Sequence, residues 1–81
     1  MAIDLLRNAK ARVVGTKSTL KVVQSGEARA VFLAADADEH VLRPLKHALE
    51  KRAIPVYEVE TMKQLGRACG IEVGAAAAAL L

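Results

Sequence analysis

Two rhythms alternate along this chain: apolar residues at helical spacing, and short unbroken apolar runs. Ala2, Leu5, Leu6, Ala9 and Val13 fall on one helical stripe and predict an opening helix. Val13-Val14 reads as a short strand that stops at Gly15. A second helix is predicted from Thr16, burying Leu20 and Val23, with Gly26 just past its end, where a glycine makes the left-handed turn most easily. "AVFLAAD", Ala30 to Asp36, is apolar without alternation, the pattern of a central strand covered on both faces. Asp36 and Asp38 offer caps for a third helix. That helix turns Leu42, Leu45, Ala48 and Leu49 inward and Lys46, Glu50 and Lys51 outward. Pro44 belongs in its first turn, because a proline deeper inside interrupts the hydrogen-bond ladder.

"IPVYEV" forms the next strand, with Pro55 near its start. Thr61-x-x-Gln64 is a capping box for a fourth helix, whose buried side carries Met62, Leu65 and Cys69 and which Gly70 ends. Gly66 inside that helix costs about 1 kcal/mol against alanine, so its presence predicts another backbone packed close by. The tail "GAAAAALL" suits a helix by propensity and a sandwiched strand by size. We read it as a strand, since the alternation needs one more element to fill a sheet. The sum is a single domain over residues 1–81, a three-layer α/β/α sandwich with a four-stranded mixed sheet.

With 81 residues, 53% of them apolar, the chain can bury one small core. No run of about 18 apolar residues is present, so neither a membrane span nor a signal peptide is expected. The single cysteine, Cys69, excludes an internal disulfide and fits a reducing cytoplasm. The net charge of +3 is modest, but it is unevenly spread. Residues 1–30 hold six basic residues against two acids, while residues 31–81 hold six against seven. Arg7, Lys10, Arg12, Lys17 and Lys21 follow one another with no acid between them, a footprint that attracts phosphate.

Catalytic chemistry finds little support. Ser18 and Ser25 lack the context of a nucleophilic elbow. His40 and His47 have no acid or nucleophile spaced to complete a triad. Asp36-x-Asp38-Glu39 lacks the glycine and distal glutamate of a calcium loop, and helix caps explain it better. Cys69 sits at an apolar position late in a helix and reads as core. "GTKST", Gly15 to Thr19, lacks the second glycine and the spacing of a nucleotide-binding P-loop. No metal and no cofactor is expected.

Nucleic acid fits better. At the strand-to-helix junction the free amides of Thr16 to Thr19 lie at the positive end of a helix dipole. Lys17 and Lys21 share a face four residues apart, so Lys17 can reach a guanine edge and Lys21 a phosphate. The only aromatics are Phe32, placed in the core, and Tyr57. That scarcity disfavours single-strand binding by base stacking and favours a structured RNA.

Three stretches, "GTKSTLK", "VFLAADAD" and "LGRACGIEVGAAAAALL", occur in order and, with their spacing, span nearly the whole chain. In these the sequence resembles the kink-turn-binding ribosomal proteins of the L-seven-Ae and L-thirty-e type, and within them the short bacterial YbxF-like branch. The resemblance implies an L-thirty-e-like α/β/α sandwich, no catalytic activity, and a kink-turn as ligand: an RNA duplex bent sharply at a bulge beside sheared G·A pairs. In archaeal and eukaryotic members the helix opens with Gly-x-Asn-Glu-x-x-Lys, and the Asn and Glu meet the G·A pairs. Here Gly15 and Lys21 match, while Lys17 and Ser18 stand in for Asn and Glu. The serine removes an acceptor for a guanine amino group, for which its hydroxyl partly substitutes.

The resemblance further implies RNA contacts at Gly15, Thr16, Lys17, Ser18, Thr19 and Lys21. It also implies a place for an extruded nucleotide around Asp38, Val59, Thr61 and Met62, while Glu60 replaces a basic residue found in some members. The expected partner is structured RNA of the kink-turn type, ribosomal RNA in particular, bound by a cytoplasmic monomer without membrane association. The alternative is a protein-interaction module on the same fold that has lost RNA binding.

Overall fold

Branched and aromatic residues concentrate in the middle of the chain, where two of the four strands form, and the other two come from near its ends. The computed structural model describes residues 2–9 and 11–81. Along these the elements are α1 (Ala2–Arg7), β1 (Arg12–Val14), α2 (Thr16–Ser25), β2 (Ala30–Ala34), α3 (Glu39–Glu50), β3 (Val56–Val59), α4 (Met62–Ala68) and β4 (Ala77–Leu80). The strands lie in the order β1-β4-β2-β3. β2 and β3 are parallel, with Val31 opposite Val56. β4 runs antiparallel to both of its neighbours, with Ala79 opposite Val13 on one side and Val31 on the other. The alanine-rich tail is thus an interior strand of a mixed sheet, as the sequence predicts.

Alternation along the strands divides the core. Phe32, Ala34, Val59 and Ala78 pack with Leu6 of α1 and with Leu65, Ala68 and Cys69 of α4 and its end. Val31, Leu33, Ala77 and Ala79 pack with Val22 and Val23 of α2 and with Leu42, Leu45 and Leu49 of α3. β2 is buried at every residue because a helix layer covers each face. Small side chains in β4 let both layers approach the sheet.

Three local expectations change. On α1 the inward residue is Leu6, fully buried, with Ile3 packed beside it, while Leu5 is 54% exposed; the side chain of Ala2 lies outside those described. Val13 lies in β1, as its reading with Val14 as a short strand predicts, although it also continued the helical stripe. Pro44 sits within α3 instead of its first turn, because Asp38 starts the helix earlier by capping it. Proline is tolerated there because it is exposed, so the carbonyl that loses its partner faces water. Asp36 does not cap α3: its Oδ1 accepts from the Met62 amide at 2.7 Å, at the start of α4.

Candidate nucleic-acid interface

Strand direction gathers the candidate residues. β1, β2 and β3 all run opposite to β4, so their C-terminal ends share one end of the sheet with the start of β4. α2, α3 and α4 follow those three strands and therefore begin there. Backbone bonds tie the loops together: Gly15 N–H donates to Ala77 O at 2.8 Å, Ala34 N–H to Ala76 O at 2.9 Å, and Ala35 N–H to Val59 O at 2.7 Å. Gly15 to Lys17, Asp38, Thr61 and Met62, far apart in sequence, thus occupy one end of the molecule.

The start of α2 is open. Its N-cap is Gly15, at φ 102°, and no side chain caps the helix. A Cβ at Gly15 would meet nothing within 4 Å, so the glycine is required by its backbone angle and leaves clear space above it. Among the described residues the amides of Thr16, Lys17 and Ser18 have no partner, whereas Thr19 N–H bonds Gly15 O at 3.0 Å. The first turn holds no acid. Lys17, Ser18 and Lys21 are exposed and Thr16 is half-buried. A shallow groove of about 250 Å³ runs from Thr16 and Lys17 to Val41 and Pro44 of α3.

Two expected contact residues turn inward. Thr19 is fully buried, and its Oγ1 has no hydrogen-bond partner. Its amide is spent inside the helix, so neither its side chain nor its N–H faces a ligand. Val59 is 7% exposed and belongs to the core beside Phe32. Thr61 and Asp38 remain at this end while serving as caps: Thr61 Oγ1 accepts from Gln64 N–H at 3.0 Å, and Asp38 Oδ1 from His40 N–H at 2.8 Å. Met62 is half-buried against the core. Among the described residues no group of three or more His, Cys, Asp or Glu is placed to hold a metal ion.

The basic footprint divides as well. Arg12 points away from this end and ties down three carbonyls: its Nη1 donates to Leu6 O at 3.4 Å and Ala9 O at 3.2 Å, and its Nη2 to Cys69 O at 2.9 Å. A guanidinium held by the ends of α1 and α4 is a structural staple. Arg7 lies on α1, across the sheet from α2, 3.7 Å from Asp4. Lys10 lies outside the described residues. Lys17 and Lys21 remain beside the open helix end. Burial pushes the Cys69 thiol up, against the opposing pull of the Arg12 charge, which keeps it an unreactive core residue.

Sequence reasoning assigned no role to the segment between α4 and β4. There Ile71 N–H bonds Gly66 O and Ala75 N–H bonds Met62 O. A Cβ on Gly66 would collide with the carbonyl oxygen of Val73, so the close approach predicted at that glycine is with this segment. It returns to the shared end of the sheet with Val73 71% exposed. The signal was an apolar pair, Ile71 and Val73, between two glycines.

The sequence profile of the ribosomal protein L7Ae/L30e/S12e/Gadd45 family matches residues 1–81. The chain belongs to that family. It is 52% identical over 68 residues to an RNA-binding protein of Caldanaerobacter subterraneus subsp. tengcongensis, covering 84% of this chain and 83% of the relative. It is 41% identical to the RNA-binding protein YbxF of Geobacillus stearothermophilus, over 100% of this chain and 99% of that one. The L7Ae-type fold superposes on the Giardia lamblia 15.5kD RNA binding protein with a TM-score of 0.89 at 30% identity, covering 98% of this chain and 69% of the other. No helix among the described residues is long and apolar enough to cross a membrane.

Proposed function

We propose that this chain binds RNA without catalysing a reaction, and that it recognises and stabilises kink-turns through the end of the sheet where α2 begins. The observation that carries the reading is the open N-terminus of α2. Three unpartnered amides, a glycine without side chain and two exposed lysines converge there. Backbone donors at a helix start suit an acceptor edge or a phosphate, and the lysines add charge. Relatives named as RNA-binding proteins, matched over nearly the full chain, support the same ligand class.

In this reading Gly15 to Ser18 meet the G·A pairs and Lys21 a neighbouring phosphate. Asp38, Thr61 and Met62 border the extruded nucleotide, with Val73 as an apolar wall. Both surfaces must touch one RNA at once, so the protein selects the bent form and shifts the RNA toward it. The RNA is of the ribosomal type, and one protein copy serves one kink.

The test is energy transfer between dyes on the two arms of a kink-turn duplex, titrated with protein without magnesium. Transfer should rise and saturate at one protein per RNA, and a straight duplex should not respond. Binding without arm closure, or equal binding after the G·A pairs become Watson–Crick pairs, overturns the reading.

A further inference from the structure

On the other face of the sheet, away from α2, a cavity of about 450 Å³ opens between α1, β3 and α4. It lies within the range of small-ligand sites. Its floor is the half-buried ring of Tyr57, backed by the fully buried Phe32 with ring centroids 5.3 Å apart and planes 30° apart, and flanked by Val59. Its rim is polarised. Glu60 and Gln64 line it near the end of the sheet where α4 begins, while Arg7 and Arg67 come from the last turns of α1 and α4. Gln64 and Arg67 are separated by about 4.5 Å along the helix axis. Arg67 is exposed, and among the described residues it has no partner.

We propose that this cavity binds a guanine nucleotide. The one accessible ring, Tyr57, offers a face to a single planar base, and base–aromatic stacking tolerates any ring. The preference for guanine comes from the rim. A carboxylate accepts from both the N1–H and the N2 amino group of guanine, whereas adenine and cytosine lack that paired donor edge. The Gln64 amide can complete the hydrogen bonding, having both donors and an acceptor. At the far end Arg67 would seat the phosphate, with Arg7, which also lies 3.7 Å from Asp4 Oδ1, beside it. The lining carries Glu60 toward one end and the two arginines toward the other, with Glu58 also on its wall. This site uses none of Gly15 to Lys21, although Glu60 and Gln64 adjoin Thr61 at the edge of the proposed RNA surface.

The chain holds one Tyr, one Phe and no Trp, so the ring resonances of Tyr57 and Phe32 report the cavity directly by proton NMR. Titration with guanosine monophosphate should move both in a saturable way, and cytidine monophosphate should bind about tenfold or more weakly. Arg67→Glu should abolish the response with the remaining spectrum unchanged, and Glu60→Gln should erase the preference for guanine over adenine. Absence of shifts across the millimolar range, or a response retained in Arg67→Glu, overturns the proposal. The nucleotide can be free or an unpaired guanosine of RNA. A kink-turn duplex bound more tightly when extended by a guanosine than by a cytidine assigns it to RNA; equal binding, with the monophosphate response intact, assigns it to free nucleotide. Arg67→Glu should bind the unextended duplex like the parent. A chain that ignores kink-turns yet answers to the monophosphate breaks the RNA reading and keeps this one.

Discussion

Among the described residues three helices begin at the same end of the sheet, and one is built unlike the other two. α3 is closed by Asp38, with Glu39 in its first turn. α4 is closed twice, by Thr61 on the Gln64 amide and by Asp36 on the Met62 amide. α2 has a glycine, no side-chain cap and no acid in its first turn. A glycine N-cap forgoes only a few tenths of a kcal/mol against a capping side chain, so the open start of α2 gives up little stability to leave its amides free. On the proposed binding mode, the difference marks where an external acceptor would sit. Donors satisfied within the chain offer nothing to a ligand, while those of α2 are held ready by a fold that stabilises its other helix ends.

The largest expected effect comes from making α2 resemble its neighbours. Lys17→Glu places an acid in the first turn and removes a cation from the interface. Kink-turn affinity should fall by about 3 kcal/mol, roughly 100-fold, while thermal stability holds or rises by about 0.3–1 kcal/mol. Unchanged affinity in a gel-shift titration at the same salt concentration would show that the open end is not the contact. Gly15→Ala should cost about 1–3 kcal/mol in urea unfolding from its left-handed φ alone, since the added methyl meets no protein atom; a neutral result would remove the backbone argument for glycine.

At the closed ends, Asp38→Ala and Thr61→Ala should each lower stability by about 1 kcal/mol. If neither does, the contrast among the three helices has no energetic content. Smallest of all is Thr19→Val. Its hydroxyl is buried without a partner, so the exchange should be neutral or stabilising by about 0.5 kcal/mol. RNA affinity should not change, and a loss of affinity would put Thr19 back in the interface.

The order of elements was legible because β2, α3 and the capping box at Thr61 advertise themselves within a few residues. Gly66 was legible too, since a glycine inside a helix needs a reason. What escaped the sequence depends on contacts across long chain distances. Arg12 looked like part of a phosphate footprint, yet its partner carbonyl on Cys69 is 57 residues away. Asp36 looked like a local cap and serves a helix 26 residues on. Thr19 and Val59 lie next to exposed neighbours, and only helix rotation and strand alternation decide which way they face. In the candidate site, the cluster "GTKST" was visible as a helix start, while the exposed Val73 was not, because a two-residue apolar pair carries no periodicity.

The bonds from Ile71 to Gly66 and from Ala75 to Met62, with Gly66 pressed against Val73, have a consequence for binding thermodynamics. The segment they hold is laid along α4 in the free protein, so if it meets RNA as proposed it surrenders little conformational entropy on binding. A free loop of that length would be charged for each residue it ordered, at about 1–2 kcal/mol apiece. A side chain larger than hydrogen at position 66 would lift the segment off the helix. The association rate would then be limited by the search for the closed loop, and the loss of affinity would be entropic, although residue 66 touches no ligand.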